Sequence, residues 1–136
     1  MIVKQVSVFV ENTVGRLADL TKILTDNNID LKASTIAETV DFGILRCIVE
    51  DPEKTVKILV ENGFSASISE VTGVSLEDKP GGLHKVLAVL AEAGIAVNYI
   101  YSTIKSAEGK AIIMMKTSDA AKAEEVLKAS GVELAG

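Results

Sequence analysis

The residue types that carry most protein chemistry are scarce in this chain of 136 residues, so each can be weighed singly. His84 is the one histidine. It follows Leu83 and falls off the apolar stripe of the helix that begins there, which reads as an exposed first-turn position. A helix N-terminus disfavours a protonated imidazole, so His84 suits ligand contact better than catalysis, for which it has no evident partner. Cys47 is the one cysteine. It alternates with Leu45 and Val49 on an apolar strand face and reads as a buried structural thiol, since a nucleophile needs an accessible thiolate and a base. A lone cysteine forms no intrachain disulfide, which fits a reducing cytoplasm. No Cys-x-x-Cys, His-x-x-x-His, P-loop or dinucleotide-binding glycine pattern occurs. Carboxylates are plentiful, but pairs such as Glu124-Glu125 read as solvated helix faces. The expectation is a protein that is not an enzyme and that carries no metal or organic cofactor.

The chemistry that remains lies in two similar loops. One runs Glu11-Asn12-Thr13-Val14-Gly15-Arg16-Leu17 and the other Glu77-Asp78-Lys79-Pro80-Gly81-Gly82-Leu83. Gly15 and Gly81-Gly82 permit positive φ or close backbone approach, and Pro80 fixes one turn of its loop. The helix that follows offers unpaired backbone N–H groups and a partial positive charge, suited to a small carboxylate. Asn12 and Asp78 either cap those helices or hold a ligand amine. Ordinary caps and turn glycines account for the same residues, and duplication copies both kinds equally.

The loops sit in a repeat. Leu17 and Leu83 are 66 residues apart, as are Ile29 and Ile95, and Gly43 and Gly109; the spacing becomes 68 for Leu59 and Leu127 and for Gly63 and Gly131. A spacing held so long marks a duplicated unit of roughly 65 residues, with domains expected at 1–70 and 71–136. In the first unit Val6, Val8 and Val10 alternate with Gln5, Ser7 and Phe9, a strand pattern. Leu17, Leu20, Ile23 and Leu24 recur at helical spacing until Asn27-Asn28. Strands follow at 30–37 and 43–49. Pro52 then opens a helix with Val56, Leu59 and Val60 as its stripe, Gly63 ends it, and 64–70 alternate again. The second unit repeats this with Val74 and Leu76; Leu83, Val86, Leu87 and Leu90; Val97, Tyr99 and Tyr101; Ala111, Ile113 and Met115; and Ala123, Val126 and Leu127. A short tail, Val132 to Ala135, is left for its last strand. Gly73 reads as the one flexible point in a run of 64–76 that lacks a linker.

The order β-α-β-β-α-β, twice, predicts an α+β fold: two four-stranded antiparallel sheets of ferredoxin-like type with both helices on one face. The other face would carry Phe9, Ile36, Ile44 and Ile48 in the first unit and Ile100, Ile104, Ile112 and Met114 in the second. Leaving these in water forgoes several kcal/mol at about 25 cal/mol per Å². The units must cover each other or a second chain must cover both, and at least a homodimer is expected.

Composition narrows the partners. With 48% hydrophobic residues and two prolines the chain folds rather than staying disordered. Its net charge of −5 repels phosphate backbones, and five aromatic residues are too few and too buried to stack bases, so no nucleic acid is expected. No apolar run approaches the ~20 residues of a membrane span, and Met1 to Asn12 lacks the parts of a signal peptide. A cytoplasmic location is expected.

Asp78-Lys79-Pro80-Gly81-Gly82-Leu83, placed after a strand and before an amphipathic helix, resembles the loop of the ACT domain; Asn12 to Leu17 is similar to a weaker copy. The resemblance spans nearly the whole chain as two tandem units. It implies a regulatory, allosteric module that binds a free amino acid at interfaces between paired domains, with a regulated enzyme or transcription factor as the further partner. Carried over, the ligand contacts are Asn12, Val14, Gly15, Arg16 and Leu17 in the first loop and Asp78, Pro80, Gly81, Gly82 and Leu83 in the second. The start of the second strand adds Asp30 and Leu31, and Ala96, Val97 and Asn98. The backbone would take the carboxylate and Asn12 or Asp30 the ammonium. Val14 replaces the usual proline, and Ala96 stands where the first unit has Asp30, so the two sites are expected to be unequal. A ligand-free interaction module and a small mutase- or phosphatase-like enzyme on the same fold are the competing readings.

Overall fold

The computed structural model describes residues 1–103 and 108–135. Among them the elements are β1 (Ile2–Glu11), α1 (Arg16–Asp26), β2 (Ala33–Glu38), β3 (Phe42–Ile48), α2 (Pro52–Glu61), β4 (Ala66–Glu77), α3 (Gly82–Glu92), β5 (Val97–Ser102), β6 (Lys110–Thr117), α4 (Ala120–Ala129) and β7 (Glu133–Leu134). The chain divides into two compact units, Lys4–Ser69 and Glu70–Gly136, the latter taking in Met1–Val3.

In the first unit the strand order is β4-β1-β3-β2. Val8 pairs with Leu45 in an antiparallel ladder, and Ala33 with Ile48 in another. Val6, Val8, Val10, Leu45 and Cys47 point to the helix side and pack with Leu20, Leu24, Leu59 and Phe64. Burial among them pushes the Cys47 thiol up to about 12. Helix α1 ends at Asn27, with Asn28 in the left-handed region, as the asparagine pair predicts. In α2 the inward stripe is Thr55 and Leu59, with Val56 partly packed; Val60 faces solvent, a correction to the expected stripe. Thr55 tolerates burial because its hydroxyl donates to Asp51 O at 2.9 Å.

The second unit has the order β7-β4-β6-β5, the same plan. Val74, Leu76, Val86, Leu90, Met115, Ala123 and Leu127 form its core. Strand β7 is two residues long and pairs with Val74 and Ser75. Each unit is thus a ferredoxin-like βαββαβ module, and the fold is α+β.

Two expectations are corrected by register. Ile36 pairs with Leu45 and lies on the helix side. The β5 ladder slips by one residue between Val97 and Tyr99, leaving Asn98 extra. Beyond that bulge Ile100 opposes Met115 on the core side, while Tyr99 and Tyr101 join Lys116 and Met114 on the other face. Burial on that far face is uneven. Ile48 and Met114 are buried, Ile44 and Ile112 half-buried, and Phe9 is 51% exposed, so Phe9 is not among the buried aromatics. Ile104 lies outside the described residues. Gln5, also on that face, is fully buried, and its side-chain amide donates to Ser69 Oγ at 3.0 Å.

Gly73 is a further correction. It is buried mid-strand in β4, and a Cβ there would stand 2.0 Å from the Ala135 carbonyl oxygen. Its carbonyl accepts from both Ala135 N (2.9 Å) and the Met1 amine (3.2 Å). Close packing, not flexibility, selects glycine there.

Candidate functional site

Each loop begins where its first strand ends. Asn12 N donates to Asp41 O at 3.0 Å, and Asp78 N donates to Gly109 O at 3.0 Å, so both loops are pinned to the hairpin of their own unit. The Asn12 amide adds bonds to Thr39 O (3.3 Å) and Val40 O (3.4 Å). Those bonds occupy its donors and leave Oδ1 as the group that can accept from an ammonium. The chain then turns through Gly15 (φ 86°) and Gly81 (φ 90°), where a side chain would be strained. Helices α1 and α3 open directly behind these glycines, with Asp19 N bonded to Gly15 O and Lys85 N to Gly81 O.

The other two helices start differently. Asp51 caps α2 by accepting from Lys54 N at 3.1 Å, and Asp119 caps α4 by accepting from Lys122 N at 3.0 Å. Neither α1 nor α3 has a side-chain cap. In each unit, then, one helix start is capped by its own carboxylate and the other is not; Arg16 N and Gly82 N, the first amides of α1 and α3, donate instead to Thr13 O (3.3 Å) and Lys79 O (3.0 Å). His84 sits exposed in the first turn of α3, as expected from its place off the stripe.

The two loops are unequal. In the second, Gly82 packs so tightly that a Cβ would meet Glu77 O at 2.2 Å. Lys79 Nζ bonds Glu77 at 2.6 Å, and that bond holds the Glu77 carboxyl below its usual range and the Lys79 ammonium above its own. A cavity of about 460 Å³ opens beside this loop, edged by Lys79, Gly81, Gly82, Lys85, Lys110 and Val132. In the first unit the residue matching Gly82 is Arg16, whose guanidinium lies 4.0 Å over the ring of Phe64, the residue matching Val132. The first unit thus sets a large side-chain pair at the positions where the second has Gly82 and Val132.

The second-strand residues lie elsewhere. Asp30 and Leu31 precede β2 instead of lying in it. Lys32 N bonds Ile48 O, at the far end of β3 from Asp41. Seven residues of strand separate those ends, roughly 23 Å at 3.3 Å per residue. In the second unit Ala96 is tied to Ser118, whose N donates to Ala96 O at 2.9 Å, again at the end of the sheet away from the loop. Within one unit the structure therefore gathers Asn12, Val14, Gly15, Arg16 and Leu17, or Asp78, Pro80, Gly81, Gly82 and Leu83, and holds Asp30 and Leu31, or Ala96, Val97 and Asn98, apart from them. Reading by sequence misses Glu77, Lys85, Lys110 and Glu133. Lys79 and Lys85 flank the glycines visibly, but Lys110 and Glu133 reach the loop only through strand pairing.

Among the described residues, no group of three His, Cys, Asp or Glu side chains is arranged to hold a metal, and no helix is long and apolar enough to cross a membrane. The two units are βαββαβ modules, each with a glycine-cornered loop ahead of a helix that has no side-chain cap. The chain belongs to the ACT domain pair family, whose model matches residues 1–134. It is similar to the crystal structure of a protein from Bacteroides thetaiotaomicron, with 43% identity, a TM-score of 0.93, and coverage of 99% of this chain and 92% of that one. The regulatory subunit of aspartate kinase from Thermus thermophilus, in its ligand-free form, shares the fold at 16% identity and a TM-score of 0.70, over 94% of this chain and 90% of that one. The Thermus flavus subunit does so at 16% identity and 0.65, with the same coverage. Among curated proteins no similar sequence is found.

Proposed function

We propose that this chain is a non-enzymatic sensor of a free amino acid, bound where ACT units meet, and that occupancy regulates a partner enzyme or transcription factor. One observation carries the reading: α2 and α4 are capped by their own aspartates, whereas α1 and α3 present uncapped amides behind left-handed glycines. Such amides suit the α-carboxylate of an amino acid. Asn12 Oδ1, Asp30 and Asp78 are the acceptors for its ammonium. A loop and a second-strand start lie at opposite ends of one module, so a ligand touching both takes the loop from one module and the strand start from another. A homodimer supplies that juxtaposition. Binding there shifts the population of arrangements by the difference in affinity between them.

Titration calorimetry with the twenty amino acids tests this. One of them is expected to bind, and Asp30→Ala to weaken it at least tenfold, about 1.4 kcal/mol. Unchanged affinity in Asp30→Ala removes that residue from the site. Failure of all twenty to bind removes the sensor and leaves an interaction module.

A further inference from the structure

We infer that Asn62 is the residue at which this chain undergoes spontaneous deamidation, and that the turn ending α2 controls when it does. In this chemistry the backbone nitrogen of the next residue attacks the side-chain carbonyl carbon, Cγ. A new C–N bond forms, the bond from Cγ to Nδ2 breaks, and ammonia leaves with the proton of the attacking nitrogen. Water then opens the five-membered imide at either carbonyl. One opening gives aspartate. The other gives an isoaspartyl link, in which the main chain runs through Cβ. Water is the only co-reactant, so the step is independent of the sensor reading.

The following residue sets the intrinsic rate, because its side chain crowds the attacking nitrogen. The five asparagines are followed by Thr13, Asn28, Ile29, Gly63 and Tyr99, and of these Gly63 alone lacks a Cβ. The matching pair in the second unit is Ser130-Gly131, which has no side-chain amide to lose.

The fold opposes the attack. Asn62 is exposed and ends α2 with φ −97° and ψ 16°, and its Nδ2 donates to Ile58 O at 2.8 Å. That bond turns the amide back along the helix, away from Gly63. Gly63 N donates to Val60 O at 3.1 Å and Phe64 N to Leu59 O at 3.0 Å, the two bonds of a Schellman turn. A nitrogen so engaged is not free to attack. Reaction therefore needs the turn to open, and the native rate is the open fraction times the rate in the unfolded chain. What holds the turn shut is Phe64, buried in the core with the Arg16 guanidinium 4.0 Å over its ring. Conversion sets a carboxylate against Ile58 O at the negative end of α2. The isoaspartyl form also lengthens the main chain just before Phe64. Asn27 is a control within the same molecule. It ends α1 with φ −104° and ψ 12°, its Nδ2 donates to Ile23 O at 2.8 Å, and it is followed by Asn28 instead of glycine.

Peptide mapping by mass spectrometry tests this, with the full chain aged in mildly alkaline buffer and in urea that unfolds it. In urea Asn62 is expected to convert at least tenfold faster than Asn27, to a mixture of aspartyl and isoaspartyl forms, and Gly63→Ala to remove that advantage. In buffer, conversion at Asn62 should be at least tenfold slower than in urea. Arg16→Gln, with native circular dichroism retained, should speed the reaction in buffer severalfold, because it removes the stack on Phe64. Asn62 intact in urea, or converting no faster there than Asn27, would overturn the site. Equal rates at Asn62 in buffer and in urea, or a buffer rate untouched by Arg16→Gln, would overturn control by the turn.

Discussion

Cys47 and the glycines show how differently single residues can be read. Alternation with Leu45 and Val49 was enough to place Cys47 on the core side of β3, because strand period alone decides the face. Gly73 could not be read that way: the oxygen that excludes its Cβ belongs to Ala135, 62 residues on, and only the fold brings them together. Arg16 was legible as a loop residue, but its stacking on Phe64 was not, since nothing local joins the start of α1 to the end of α2. The Cys47 thiol yields a prediction in pH. Its folded value, pushed up to about 12 by burial, exceeds the ordinary 9.0. A raised value means that the native state holds its proton after the unfolded chain has released it. The stabilisation is therefore complete below pH 9 and is lost as pH climbs from 9 toward 12, at about 1.4 kcal/mol per unit. Urea unfolding at pH 8 and pH 10 should show a fall in stability that is smaller by about that amount in Cys47→Ala. An identical fall in both proteins would mean that the thiol is not shielded.

At the scale of elements, the four helices and their ends were legible because each signal is local: Pro52 at a first turn, Asn27-Asn28 and Gly63 at ends, and apolar residues at helical spacing. Strand faces were legible until the ladder broke. Counting by twos through Asn98 assigns Tyr99 and Tyr101 to the core, and the bulge exchanges them with Ile100. No residue type in Val97-Asn98-Tyr99 announces that slip. Ile36 was misplaced for a related reason. Its face depends on where β2 begins, and β2 begins at Ala33 rather than residue 30. The caps were not separable by sequence, since Asn12, Asp51, Asp78 and Asp119 all stand near helix starts. The structure divides them by role. Asp51→Ala and Asp119→Ala should each cost about 1 kcal/mol of stability in urea unfolding, the usual loss for a capping carboxylate. Asp78→Ala should cost less than about 0.5 kcal/mol, because Gly81 and not Asp78 is the cap of α3. A loss at Asp78 equal to the other two would make it a structural cap and weaken its place in the ligand site.

The whole molecule poses the question of what its surface meets. At the loop end of the first unit, Phe9 and Phe42 pack with their rings tilted at 43° and centroids 5.2 Å apart, and both are exposed. Val14 and Val40 stand fully in solvent close by, in the loop and in the hairpin turn that Asn12 ties together. Apolar groups gathered in this way mark contact surfaces in soluble proteins, and covering them recovers roughly 25 cal/mol per Å². The separation of each loop from its own second-strand start makes the same demand from the side of function, since a site built from both requires another module. Sedimentation velocity at micromolar concentration should therefore give a species of twice the 14.4 kDa chain. Phe9→Ser combined with Phe42→Ser should shift it toward monomer, with the helical circular dichroism of the native protein retained. Because the aromatic pair lies on the far face of the sheet from the core cluster, that double substitution separates association from folding. A wild-type chain that stays monomeric at tens of micromolar would leave the exposed rings without a purpose in self-association. It would also confine any amino-acid site to a single chain, in which the cavity of about 460 Å³ beside Gly81 and Gly82 offers room for one.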